Sequence, residues 1–149
     1  AEPPAMAEVR ALRQRLEEDP NDREALRRLA GLQFQISNWS RAIELFERLL
    51  ALEPNDVVTM TDLGVSYRGA GQLDRALELF RRAYETDPSY WQAAFNEAYV
   101  LGFDRGDWAA AQRVVDELQA RQPDNADVAR LAEEIARRRQ AAPPADGAS

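Results

Sequence analysis

Proline recurs at Pro20, Pro54, Pro88 and Pro123, at spacings of 34, 34 and 35 residues. Each closes an amphipathic stretch and precedes a short polar cluster. A fixed period in the thirties marks helix pairs stacked in a row, because one such pair leaves an apolar face in water that only a neighbour can cover. Stacks of this kind act mainly through an extended concave surface, so the period points towards binding and away from catalysis.

Between the prolines the apolar residues fall at helical spacing. The pattern predicts eight helices: Met6 to Glu18, Asp22 to Gln35, Trp39 to Leu52, Val57 to Arg68, Leu73 to Glu85, Tyr90 to Phe103, Trp108 to Ala120 and Ala126 to Arg139. Asn21-Asp22 and Asn55-Asp56 supply N-caps after the first two prolines. Ser37-Asn38, Gly69-Ala70-Gly71 and Asp104-Arg105-Gly106-Asp107 turn the chain. The organisation expected is a Pro/Ala linker over 1–5 and a solenoid over 6–139. Within the solenoid come a half-repeat (6–22), repeats at 23–56, 57–90 and 91–125, and a polar-faced capping helix over 126–139. A Pro/Ala-rich tail at 140–149 is expected to be disordered.

Charge and missing residue types exclude much chemistry. All 19 basic residues are arginine; with 26 acidic residues the net charge is −7. An acidic chain without a basic cluster is a poor match for nucleic acid. The single basic run, Arg137-Arg138-Arg139, closes the last helix, where it complements the negative end of the helix dipole. There is no histidine and no cysteine, which removes His- or Cys-based metal sites, thiolate nucleophiles and Ser-His-Asp triads. No stretch approaches the roughly 18 to 20 apolar residues of a spanning helix. Adjacent carboxylates such as Glu17-Glu18 and Glu133-Glu134 diverge around a helix and do not converge on a pocket. The Asp104–Asp107 loop lacks the length and ligand spacing of a helix–loop–helix calcium site. No catalytic residue, metal or cofactor is therefore expected.

The pattern resembles the tetratricopeptide repeat (TPR) family, whose signature runs large residue, Leu, small, aromatic, then Ala, aromatic, Ala and Pro. The second copy matches best, through Met60, Leu63, Gly64, Tyr67, Gly71, Ala76, Phe80, Ala83 and Pro88. The first supplies Leu26, Leu29, Ala30, Ala42, Phe46 and Pro54, with Gln33 and Leu49 in place of the usual aromatic and alanine. The third supplies Ala94, Ala98, Gly106, Ala111 and Pro123. There Glu97, Leu101 and Val115 depart from the pattern, and one extra residue falls near the turn. The resemblance implies an all-α, right-handed superhelical solenoid of antiparallel helix pairs. It also implies that the first helix of each pair lines a concave groove that takes extended peptides or helices.

Carried over by register, that groove presents Glu24, Arg27, Gly31 and Phe34, then Val58, Thr61, Asp62, Val65 and Arg68, then Gln92, Phe95, Asn96, Tyr99 and Phe103. Arg27, Phe34, Val58, Thr61, Val65, Arg68, Phe95, Asn96, Tyr99 and Phe103 are the candidate partner-binding residues. Of the Lys/Asn/Asn/Lys/Arg clamp with which one subfamily grips chaperone C-termini, only Arg27 has a counterpart, so a chaperone tail is not the expected ligand. Phe34 and Phe103, near helix ends, read equally well as core. Trp39 and Trp108 read as structural wedges, and Trp91 is left open between the two roles.

The expected function is a non-catalytic adaptor or assembly factor that holds an apolar, extended or helical segment of another protein. The layout resembles bacterial periplasmic TPR domains, including those of cytochrome c maturation factors. The alternative is a self-associating or spacer module of a membrane-anchored protein. The chain opens without methionine, and its Pro/Ala-rich start is of the kind that follows a removed signal or anchor. An envelope location is therefore expected, with a cytoplasmic one also compatible.

Overall fold

The computed structural model describes residues 1–143. Among them the chain forms α1 (Pro4–Glu18), α2 (Arg23–Gln35), α3 (Trp39–Leu52), α4 (Val57–Gly69), α5 (Leu73–Thr86), α6 (Trp91–Tyr99), α7 (Trp108–Arg121) and α8 (Ala126–Ala141), and no strand. Most boundaries fall within a residue of expectation, and two helices reach into the expected linker and tail. Helix α1 begins at Pro4, inside the expected linker, because proline lacks only an N–H that the first turn leaves unpaired anyway. Helix α8 runs on through Gln140 and Ala141, so the expected tail shrinks, and most of it lies outside the described residues.

The polar clusters after Pro20, Pro54 and Pro123 act as caps; none caps the helix after Pro88. The Asp22 side chain accepts from the Ala25 N–H, Asp56 from Val58 and Thr59, and Asn125 from Asp127 and Val128. The turn inside each repeat contains one residue with positive φ: Ser37 at 57°, Gly71 at 79° and Gly106 at 69°. In the first two turns the backbone closes identically, Asn38 N–H donating to Gln33 O and Gln72 N–H to Tyr67 O, each at 2.9 Å. The third turn carries the extra residue. There α6 widens into a π-helical turn over Val100–Asp104, and the closing bond stretches by one position, from Asp107 N–H to Leu101 O at 2.8 Å. A single inserted residue is the usual origin of such a widening. It also ends the regular α-helix at Tyr99, short of the Phe103 end read from the sequence.

Packing follows the repeat. Each helix rests mainly on its neighbours in the chain, with additional contacts of α4 on α6 and α6 on α8. Gly64 lets α4 approach α5 so closely that a Cβ there would stand 2.5 Å from the fully buried Phe80 ring. The Trp39 indole lies against Gly69 in the same manner. The buried residues form two cores. One is built from α1 to α6 around Leu26, Leu45, Met60 and Phe80; the other lies under α6, α7 and α8 around Ala98, Val115, Leu118 and Ile135. Tyr84 touches both.

Candidate protein-binding groove

Helices α2, α4 and α6 are the first members of the three pairs, and the candidate residues lie along them. Their structural fates diverge. Thr61 is buried at 3% exposure, and its hydroxyl donates to Val57 O at 2.8 Å. It offers a partner nothing, which corrects its assignment to the groove. Phe34 packs edge-on against Trp39 at 5.6 Å and Phe46 at 6.2 Å, joining the first core. Trp39 enters from the next helix and covers part of Phe34, which stays half-buried. Val58 stays open at 45% exposure, and Val65 is half-buried.

The arginines are engaged within the chain. Arg27 bonds Glu53 at 2.6 Å and Asp56 at 3.2 Å, tying α2 to the start of α4. Arg68 pairs with Asp104 at 2.5 Å and lies over the Tyr99 ring, 4.9 Å from its centroid. Neither guanidinium is free to clamp a carboxylate. The carboxylates of the Asp104–Asp107 loop are similarly occupied, Asp104 by Arg68 and Asp107 as the N-cap of α7.

Helix α6 carries the densest feature. Trp91, Phe95, Tyr99 and Phe103 recur every fourth residue and are all half-buried against the second core. Trp91 and Phe95 meet edge-on at 5.8 Å, and Tyr99 and Phe103 stack at 4.7 Å. Phe103 also meets Trp108 at 5.1 Å, and Arg138 of α8 lies over both rings. Asn96 turns its amide to Gln92 O at 2.9 Å. Sequence reasoning left Trp91 outside the row, although the four-residue spacing that joined Phe95, Tyr99 and Phe103 extends back to it.

Three candidates converge where α4 ends. Val65, Arg68 and Phe103 line a cleft of about 560 Å³ with Trp39, Leu73 and Asp104. Phe34 does not line this cleft itself but packs against Trp39, which does. What remains is a short segment on α4 and a row of aromatics on α6.

On the α4 segment stands Asp62, one helical turn after Val58. Burial pushes its carboxyl from 3.8 up to about 6; the Asp56 charge adds to the rise and Arg27 opposes it. On the α6 side, burial raises the Tyr90 phenol, and the charges of Asp62 and Asp56 raise it further. Among the described residues no group of three or more acidic side chains is arranged to hold a metal ion.

A row of antiparallel helix pairs with half-exposed side chains along its first helices defines a helical-repeat scaffold. Models of the tetratricopeptide repeat match residues 9–57 and 67–135, and the chain belongs to that family. Over 72 residues, 48% of this chain, it is 36% identical to a probable UDP-N-acetylglucosamine–peptide N-acetylglucosaminyltransferase SPINDLY from Petunia hybrida, of which the match covers 8%. The chain spans less than a tenth of the length of each curated relative it matches. A likeness over so small a part of a transferase carries no inference to its activity. Among solved structures, the Sgt2 TPR domain from Aspergillus fumigatus superposes with a TM-score of 0.71 at 21% identity, covering 86% of this chain and 89% of that one. The TPR2B domain of yeast Sti1, solved as a complex with pHsp70, gives 0.68 at 16% identity, covering 77% and 96%. These likenesses show the fold, an all-helical TPR solenoid.

Proposed function

We propose that this chain is a non-catalytic adaptor or assembly factor whose first helices hold an extended or helical segment of another protein. The observation that carries this reading is the half-exposed row Trp91, Phe95, Tyr99 and Phe103, running up to the cleft where Val65, Arg68 and Phe103 meet. Aromatic side chains that keep part of their surface in water gain most when a partner's apolar residues cover them. The pHsp70 complex of the Sti1 domain supports the reading by fold analogy alone. The occupied Arg27 and Arg68 argue against gripping a C-terminal carboxylate in the same way. A bacterial, periplasmic assembly factor is the subtype proposed; it rests on the repeat layout, and fractionation of the source cells checks it. The adaptor reading is tested by pull-down with wild type beside Phe95→Glu/Tyr99→Glu and the more exposed Val58→Glu, after circular dichroism shows each variant helical. A ligand held by wild type and released by both variants supports the groove. Equal capture by all three refutes it.

A second reading has its own support. At the α1 end, Met6 and Ile36 are 60% and 70% exposed beside a cleft of about 650 Å³ that Val9 and Leu32 also line. An apolar end of a solenoid favours stacking on another copy. Light scattering across a concentration series checks it: self-association that Ile36→Glu abolishes supports a structural module, and a constant monomer mass excludes it.

A further inference from the structure

Resting on the adaptor reading, we propose that the groove selects a protein segment carrying an arginine or lysine, whose cation docks on the Asp62 carboxylate while its apolar neighbours cover Val58 and the Phe95–Tyr99 row. The argument is one of elimination among the charges of the first helices. Arg27 is taken by Glu53 and Asp56, Arg28 by Glu8, Arg68 by Asp104, and Glu24 lies 3.6 Å from Arg15. Asn96 has turned its amide to its own helix. Asp62 alone of the charged candidates has a side chain with neither a hydrogen bond nor an ion pair among the described residues; only its backbone carbonyl is engaged, by the Ser66 hydroxyl at 2.8 Å.

Its position makes that isolation consequential. It stands in the middle of α4, half-buried, with Val58 one turn before it and Val65 one turn after. Arg27 acts on it from α2 and Tyr90 is coupled to it from α6, while Asp56 at the head of its own helix adds a second negative charge. Burial has removed much of the water that would solvate an ionised carboxyl, and Arg27, the cation that acts on it, is committed to Glu53 and Asp56. A guanidinium or ammonium arriving on a partner restores the lost solvation and adds a charge-assisted bond. The polarity is opposite to that of a groove that grips carboxylate tails, and it agrees with a chain of net charge −7.

The test is a phage-displayed library of random dodecapeptides, panned in parallel against wild type, Asp62→Asn, Asp62→Ala and Phe95→Glu/Tyr99→Glu. All four are first checked for helicity and melting temperature. Peptides from the wild-type selection are then made with their basic residue intact or replaced by glutamine, and titrated by fluorescence anisotropy. The expected result is enrichment of a basic residue flanked by apolar ones, lost in both Asp62 variants. Affinity should fall about tenfold or more on the glutamine exchange. It should also weaken in wild type between pH 7.5 and pH 5, as Asp62 takes up a proton against the fields of Asp56, Arg27 and Tyr90. Apolar peptides without a basic preference, selected equally by wild type and the Asp62 variants, overturn this inference and leave the groove standing. Selection that ignores the Phe95/Tyr99 pair overturns the groove and this inference with it.

Discussion

Replacing Asp62 by asparagine should stabilise the protein at neutral pH and leave it unchanged in acid. The unfolded carboxyl titrates near 3.8 and the folded one at about 6. Below 3.8 both states hold the proton, and Asp62 costs nothing. Between 3.8 and about 6 the folded state binds more proton than the unfolded state, so wild-type stability declines as pH rises through that window. Above about 6 the full cost is present. Unscreened, the linkage is worth about 3 kcal/mol. The side chain keeps contact with water, which reduces the figure to roughly 1 to 1.5 kcal/mol. For a chain of 149 residues that corresponds to an increase of roughly 3 to 6 °C in Tm. Thermal melts of wild type and Asp62→Asn, followed by circular dichroism at dilute concentration from pH 4 to pH 8, give the difference directly, and other titrating groups cancel. A gain that grows through pH 4 to 6 and then levels off is the expected curve. A pH-independent difference would show that folding leaves the carboxyl unshifted, and a variant less stable at pH 8 would show the carboxylate held in a favourable bond; either result refutes the reasoning.

Four further substitutions probe the stack. Gly64→Ala places a Cβ 2.5 Å from the Phe80 ring, which is fully buried and has nowhere to move; a loss of about 1 to 3 kcal/mol is expected in urea unfolding. Ser37→Gly relieves a side chain from a backbone at φ 57°, the position that glycine occupies in the other two turns, and should stabilise by about 1 kcal/mol in the same assay. Glu97, 5% exposed where the family carries leucine, has its pKa raised by burial, opposed by Arg81, which bonds it at 2.6 Å. Arg81→Ala should therefore cost roughly 1 to 3 kcal/mol at pH 7, with the loss shrinking as the pH falls and Glu97 protonates. Glu97→Leu should be neutral or stabilising, because Arg81 is exposed enough to return to water.

The punctuation of the fold was legible because it is local. A proline after each pair and the caps at Asp22 and Asp56 act within one turn of chain. The extra residue of the third repeat was also visible, but where the helix absorbs it was not. An insertion has the same sequence signature whether it lengthens a loop or widens α6 over Val100–Asp104. The groove was less legible. Register places Thr61 and Phe34 on the right helices, yet neither the inward hydroxyl bond of Thr61 nor the Trp39 wedge over Phe34 follows from spacing. The pairings of Arg27 with Glu53 and of Arg68 with Asp104 join residues a repeat apart, and many other carboxylates were equally eligible in the sequence. The isolation of Asp62 is a property of all those pairings together.

The departures from the repeat gather in one place. In the first two repeats an arginine from the second helix clasps the carbonyl of the preceding proline, Arg48 to Pro20 and Arg82 to Pro54, each at 3.0 Å. In the third, Glu117 stands where that arginine would be, and an acidic side chain has no donor for Pro88. Helix α6 opens on Tyr90 without a side-chain cap, carries Glu97 in place of a core leucine, and ends in a π-helical turn. Each of these weakens the local hold on α6, and α6 is also the helix that keeps four aromatic side chains half-exposed. Sequences tend to break their own structural rules where something other than stability is served. On that argument the departures of the third repeat agree with the proposed groove, in which α6 supplies the aromatic row and α4 of the second repeat supplies Val58 and Asp62.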